Sequence, residues 1–291
     1  MKKRVLSAMP SQTIAEGALD AAQQTGELSY DGYKKVWSDE FNGDSLNRAD
    51  WNVETHEKGW VNDELQEYVD SAENIQVKDG KLIINPVKKV TDGDTGSTKG
   101  VASYTSGRVS TQNKQTFIYG RFECRAKVPK GQGYLPAFWL MANDENVYGQ
   151  WPRCGEIDCM EVMGQETNKA YGTIHYGNPH SQSQGTYTIT DGADFSDDFH
   201  IYTCDWEPGK ITWYVDGVKY HEESEWHSTT VGQGTLAYPA PFDQPFYIIL
   251  NLAVGGSWVG NPNDETSFEN NPYVIDYVRV YQKDSYDEDV K

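Results

Sequence analysis

Gly120-Arg121-Phe122-Glu123-Cys124-Arg125-Ala126-Lys127-Val128 alternates with a period of two. Phe122, Cys124, Ala126 and Val128 fall on one side, and Arg121, Glu123, Arg125 and Lys127 on the other. Successive side chains of an extended chain point to opposite faces, so this is a strand with one core face and one polar face. The same texture continues outward from it. Leu82-Ile83-Ile84 and the runs 211–215, 246–252 and 273–281 are further short strands, and Asp79-Gly80 and Asp216-Gly217 are hairpin turns. From Lys34 onward helix signals are few. Many short strands at regular spacing predict an all-β chain, a two-sheet antiparallel β-jelly-roll sandwich in which the polar face of one sheet forms a concave cleft.

The 291 residues fit one sandwich-sized domain over 33–283, flanked by an N-terminal tail or linker (1–32) and a polar C-terminal tail (284–291). Longer loops rich in Gly, Ser, Thr and Asp are expected at 90–106, 178–198 and 224–244, and Thr91–Gly96 reads as a turn because it lacks the acid ladder of a calcium loop. Met1–Leu6 has the basic start of a signal sequence, but Ser11-Gln12-Thr13 and Glu16 interrupt any apolar stretch, so either a signal has been removed or the chain is cytoplasmic. Nothing is apolar enough to span a membrane. The net charge of −19 argues against nucleic acid and other anionic polymers as partners, whereas a neutral polysaccharide meets no repulsion; solubility alone also accounts for it. Aromatic residues at 13% serve a sugar cleft and a sandwich core equally well. Cys124, Cys154, Cys159 and Cys204 lack zinc spacing; buried thiols are the default reading and a disulfide is the alternative, its pairing not set by the sequence.

One strand breaks the rule that cores are apolar. Glu156-Ile157-Asp158-Cys159-Met160-Glu161 places three acids in an otherwise buried run. Unpaired charge is costly to bury, so a structural reason for the three is lacking. Glu156 and Asp158 share a face by parity, and Glu161 does not. One extra residue, a β-bulge, would return Glu161 to that face. Two carboxyl groups about 5–5.5 Å apart are what retaining glycoside hydrolysis needs, and crowding raises the pKa of at least one of them. An exposed acidic ladder and a cation site are the competing readings.

Trp151-Pro152-Arg153-Cys154-Gly155-Glu156-Ile157-Asp158-Cys159-Met160-Glu161 resembles the signature of glycoside hydrolase family 16 in its bulged, laminarinase-type form. The resemblance runs over about 34–283. It is carried also by Trp37-Ser38-Asp39-Glu40-Phe41, Asn62–Tyr68, Thr105-Ser106-Gly107-Arg108, Pro136–Met141, Gly172–Tyr176 and Asn251–Trp258. It implies an endo-acting retaining β-glucanase on internal β-1,3 or mixed-linkage β-1,3-1,4 bonds. Glu156 is then the nucleophile, Glu161 the acid/base, and Asp158 the residue that tunes the nucleophile. Trp139, Trp151 and Trp258 become sugar platforms, Asn62 and Arg108 donor-side contacts, and His175 a cleft histidine. The resemblance implies no catalytic cofactor, a structural Ca²⁺ held by Glu40, the Gly80 carbonyl and Asp276, and a monomer. A polymer substrate places the enzyme outside the cell. A transglycosylase, a galactan hydrolase on the same fold and a non-catalytic glucan-binding module are the alternatives. One departure is Leu135, where relatives often carry Trp, which bears on subsite preference.

Overall fold

The computed structural model describes residues 21, 24, 26–91 and 101–290, together with the backbone of Gln12 and Thr13. These residues contain strands, turns and bends, and no helix. Two eight-stranded sheets face each other. The cleft sheet runs in the order Ser181–Thr188, Lys169–Tyr176, Glu156–Glu161, Tyr134–Ala142, Phe246–Val254, Arg108–Ser110, Asn52–Val53, with Thr116–Phe117 also paired to Phe246–Val254. The back sheet runs Val218–Glu223, Lys210–Val215, His200–Glu207, Gly120–Lys127, Tyr273–Lys283, Lys81–Ile84, Ile75–Lys78, with Tyr33–Asp39 also paired to Tyr273–Lys283. Pairing within both sheets is antiparallel, and neighbours distant in sequence mark the crossovers of a jelly roll.

The alternation in Gly120–Lys127 sets the core side. Phe122, Cys124 and Ala126 are fully buried between the sheets with Phe138, Leu140, Ile248, Leu250 and Trp213. Both hairpins fall where Asp-Gly placed them: Val215 pairs with Val218 and Lys78 with Lys81. Asp79, Gly80, Asp216 and Gly217 all have positive φ, which two-residue primed turns require. All four cysteines are free and buried.

Three expectations are corrected. The outward face of Gly120–Lys127 is not solvated, since Glu123 and Arg125 are 0% and 3% exposed. Residues from the expected tail cover it. Leu28 is buried against Ile201, Arg125 Nε donates to the Ala21 carbonyl at 2.9 Å, and Arg279 Nη1 donates to the Gly26 carbonyl at 3.0 Å. Tyr30 and Tyr277 hydroxyls both donate to the Glu123 carboxylate, so the buried acid is bonded rather than stranded. Second, residues 181–188 form a strand, not a loop. It pairs with Lys169–Tyr176 over its whole length, but as a polar edge strand it carries no hydrophobic pattern. Third, Val101–Ser106 is a strand paired to Val87–Thr91; the turn read at 91–96 lies, past Thr91, outside the described residues.

Candidate active site

The bulge is where parity required it. Asp158 pairs with Thr173 and Glu161 with Tyr171, so Cys159 and Met160 together oppose Gly172. On the other side Asp158 pairs with Trp139 and Met160 with Phe138, leaving Cys159 without a partner. Cys159 and Met160 both turn into the core, and Glu156, Asp158 and Glu161 all line the cleft. The bulge frees the Asp158 carbonyl from the ladder. The indole of Trp213 reaches across from the back sheet and donates to it at 2.8 Å. Gly172 leaves the space for that ring, because a Cβ there would stand 2.4 Å from Trp213 Cδ1.

The three carboxyls have unequal surroundings. Trp151 Nε1 donates to Glu156 Oε2 at 2.8 Å. His175 Nε2 lies 3.0 Å from Asp158 Oδ2 and 3.8 Å from Glu156 Oε1. Glu161 has no hydrogen bond or ion pair among the described residues. Burial, then the charge of Asp158, pushes Glu156 up to about 8, against the pull of His175 and the indole. Burial, then Asp158, Glu156 and Glu64, raises Glu161 well above the usual carboxyl range. Burial opposes charge on His175, yet its bond to Asp158 and the two carboxylates lift it to about 9. A cation thus sits against Glu156 and Asp158, while nothing offsets charge on Glu161. The shared proton is best held there.

The cleft runs to both sides of this group. One stretch, about 490 Å³, is walled by Trp139, Arg108, Trp60 and Tyr247; the other, about 400 Å³, by His175, His180, Gln184 and Trp258. Both include Asn62, Glu64, Leu135, Trp151, Glu156 and Glu161, so the acids sit where the two meet. Every substrate-contact residue expected from the sequence therefore borders the cleft. Trp151 and Trp258 are 46% and 44% exposed, whereas Trp139 is half-buried with its indole N–H on Asn251 Oδ1 at 2.7 Å. Arg108 is already committed to Glu54, Nε to Oε2 at 2.5 Å, and lies between the rings of Trp60 and Trp139. Asn62 takes a left-handed φ of 52°, and its carbonyl accepts from Ser257 N–H at 2.9 Å. A Cβ on Gly256 would meet that carbonyl at 3.0 Å, so the glycine lets the 62 turn and the Trp258 loop close on each other.

Sequence reasoning missed Trp60, His56, Glu54, Glu64, Asn251 and His180. Trp60, Glu64 and Asn251 lay inside or beside stretches already quoted, and an exposed Trp next to a polar turn was a usable signal. The others become cleft residues only through the fold.

The calcium ligands do not fit as read. Both carboxylate oxygens of Glu40 accept from Arg279, at 2.9 and 2.8 Å, and Asp276 pairs with Arg125 at 2.7 Å. A guanidinium therefore stands on both oxygens of Glu40 and on Oδ2 of Asp276, where the ion was expected. Among the described residues, the one place where three His, Cys, Asp or Glu side chains bring ligand-type atoms within 4.8 Å is Glu156, Asp158 and His175, the group already paired within itself in the cleft.

An all-β sandwich with a bulged acidic strand across an aromatic-walled groove defines a polysaccharide-cleaving class of protein. The model of the family described as "Glycosyl hydrolases family 16" matches residues 62–279, and the chain belongs to that family. It is 40% identical over 265 residues to glucan endo-1,3-beta-glucosidase A1 of Niallia circulans, covering 87% of this chain and 38% of that one. It is 39% identical over 257 residues to the glucan endo-1,3-beta-glucosidase of Cryptopygus antarcticus, covering 84% and 90%. The chain thus spans well under half of the first relative and most of the second. The endo-beta-1,3-glucanase structure from Pyrococcus furiosus superposes with a TM-score of 0.72 at 38% identity, covering 87% of this chain and 95% of that one.

Proposed function

We propose that this chain is an endo-acting, retaining β-glucanase that cleaves internal β-1,3 bonds of laminarin-like glucan and, on the same groove, mixed-linkage β-1,3-1,4 glucan. The observation that carries the reading is the placement of Glu156 and Glu161 at the junction of two cleft stretches. A chain can then extend past the acids in both directions, which is what internal cleavage needs. The relatives' named activities point to the same substrate class.

In the first step Glu161 gives its proton to the glycosidic oxygen as Glu156 attacks the anomeric carbon. The C–O bond to the leaving chain breaks and a glycosyl ester of Glu156 forms. Glu161, now a carboxylate, takes a proton from water, and the water oxygen displaces Glu156 with net retention. The surroundings supply the asymmetry: Trp151 and His175 partly offset the burial and the Asp158 charge that raise Glu156, whereas nothing offsets the desolvation and like charges that keep Glu161 protonated. A polymer substrate too large to enter a cell supports an extracellular site of action, with the chain working as a monomer.

The roles separate under chemical rescue. With an aryl β-glucan oligosaccharide bearing an activated leaving group, Glu161→Ala forms the glycosyl-enzyme but has no base to activate water. Azide, which needs no base, restores turnover and gives a glycosyl azide of retained configuration. Glu156→Ala gives the inverted azide or nothing. Retained product from Glu156→Ala, or wild-type hydrolysis by either variant, overturns the assignment.

A further inference from the structure

His175 is held from both ends. Its Nε2 faces Asp158, and its Nδ1 lies 2.8 Å from Nε2 of His180. The two imidazoles meet edge to edge, with ring centroids 5.0 Å apart and planes 20° apart, and the Trp151 ring lies 5.2 Å from that of His180. Trp151 is the same residue whose indole bonds the nucleophile. His180 is exposed but not adrift. It closes the short loop between Lys169–Tyr176 and Ser181–Thr188, in which Tyr176 pairs with Ser181. That loop is pinned from a separate segment: Asn178 N–H donates to the Thr229 carbonyl, and Val231 N–H donates to the Asn178 carbonyl, both at 2.9 Å.

Two nitrogens 2.8 Å apart share one proton, so one ring donates and the other accepts. Nε2 of His175 stands against a carboxylate and carries a proton. If His175 is the cation that two carboxylates favour, its Nδ1 also carries one, and His180 has to be the acceptor. We propose that His180 is a positioning residue whose neutral Nε2 accepts from His175 Nδ1, and so fixes His175 as the doubly protonated cation aimed at Asp158 and Glu156.

Burial and the adjacent His175 charge both lower the pKa of His180, which keeps it neutral and able to accept. The titratable groups around the pair are Glu156, Asp158 and Glu161 on the catalytic strand, with Glu64 across the cleft. The neighbouring strand offers Gln182 and Gln184, and the Pro152 loop offers Trp151, none of which titrates. Losing His180 leaves the second proton of charged His175 without its acceptor, which lowers the His175 pKa and frees its ring to turn. Glu156 then loses its nearest cation. A sugar-contact role for His180 predicts something different: weaker binding with His175 untouched.

The test reads both. Ring ¹⁵N shifts of His175, assigned with His175→Asn, are followed from pH 5 to 10 in the full chain, and kcat and KM are measured on laminarin. The expected result is protonation of both His175 nitrogens at neutral pH in the parent protein. His180→Ala lowers the His175 pKa by about one unit and kcat by about tenfold with little change in KM, the two being the same free energy. His180→Gln, whose amide oxygen can accept, restores both. An unprotonated Nδ1 in the parent protein, or identical His175 titration in His180→Ala, overturns the proposal. Its kinetic arm rests on the glucanase reading but the nitrogen arm does not: a titration shift without turnover of any glucan would keep the His180 role and sink the proposed function.

Discussion

Trp60 lies half in solvent, face to face with His56 at 3.5 Å and 3°, with the Arg108 guanidinium 5.2 Å from its ring. Glu54 ties this assembly together, its Oε2 standing 3.0 Å from His56 Nε2 and 2.5 Å from Arg108 Nε. Burial opposes charge on Glu54, but Arg108 and the hydrogen bonds around it win and hold the carboxyl below its ordinary range. A flat, exposed, braced indole at the edge of a groove is a stacking surface for a sugar ring, and it makes no hydrogen bond or ring contact with the three acids or His175 among the described residues. Trp60→Ala is therefore expected to raise KM for laminarin by about tenfold and leave kcat nearly unchanged, since a platform of this kind contributes roughly 1–2 kcal/mol of uniform binding. A fall in kcat with KM constant would show that Trp60 acts on the reacting bond instead. Such residues were hard to read from the chain because nothing in Glu54-Thr55-His56 says which way a loop will turn. The acids were legible for the opposite reason: three charges in a buried strand contradict their surroundings, and only function resolves the contradiction.

At the scale of the element, the bulge converts that acidic strand into a catalytic one, and its support comes from outside the strand. Trp213, fully buried, satisfies the carbonyl that the extra residue frees, and Gly172 makes room for it. A methyl group at 172 would also stand 2.6 Å from the Tyr220 hydroxyl, so it cannot be absorbed by a small shift of Trp213 alone. Gly172→Ala is expected to cost about 1–3 kcal/mol by overpacking and to lower kcat by more than tenfold, because the displaced indole leaves Asp158 and Glu161 misaligned. Thermal unfolding and laminarin kinetics check it; a stable variant with normal kcat would mean that the bulge holds without Trp213. The existence of the bulge followed from counting residues between Asp158 and Glu161. Its support did not, since Gly172 and Trp213 are far apart in sequence and meet only when the sheets stack. The strand Ser181–Thr188 was missed for a related reason, as an edge strand exposed on alternate residues can be polar throughout.

On the whole-molecule scale the two sheets have different outer faces. The cleft sheet presents acids and aromatics to substrate, while the back sheet is roofed by the segment around Leu28 and Tyr30. Beneath that roof lies a charged layer: Glu123 fully buried under two tyrosine hydroxyls, Arg279 on Glu40, and Arg121 on Asp205 at 2.9 Å. Composition marked residues 1–32 as a tail because nothing local shows that Leu28 and Tyr30 have a destination. The polar side of Gly120–Lys127 looked finished as a solvent face when it was in fact a docking face. Because the roof and the cleft are on opposite sheets, stability and turnover separate. Replacing both Leu28 and Tyr30 by Ala removes one buried aliphatic and one aromatic side chain, an expected loss of about 3–5 kcal/mol once water reaches the layer, offset in part by rehydration of Glu123. For a chain of this length that is a fall in Tm of several degrees. Laminarin turnover at 25 °C, well below the transition, is expected to stay within about twofold of the parent, because the described contacts of Leu28 and Tyr30 are with the back sheet. An equal loss of turnover at 25 °C would show that the back sheet transmits strain through the core to Glu156–Glu161, and would make the segment part of the catalytic domain in function as well as in packing.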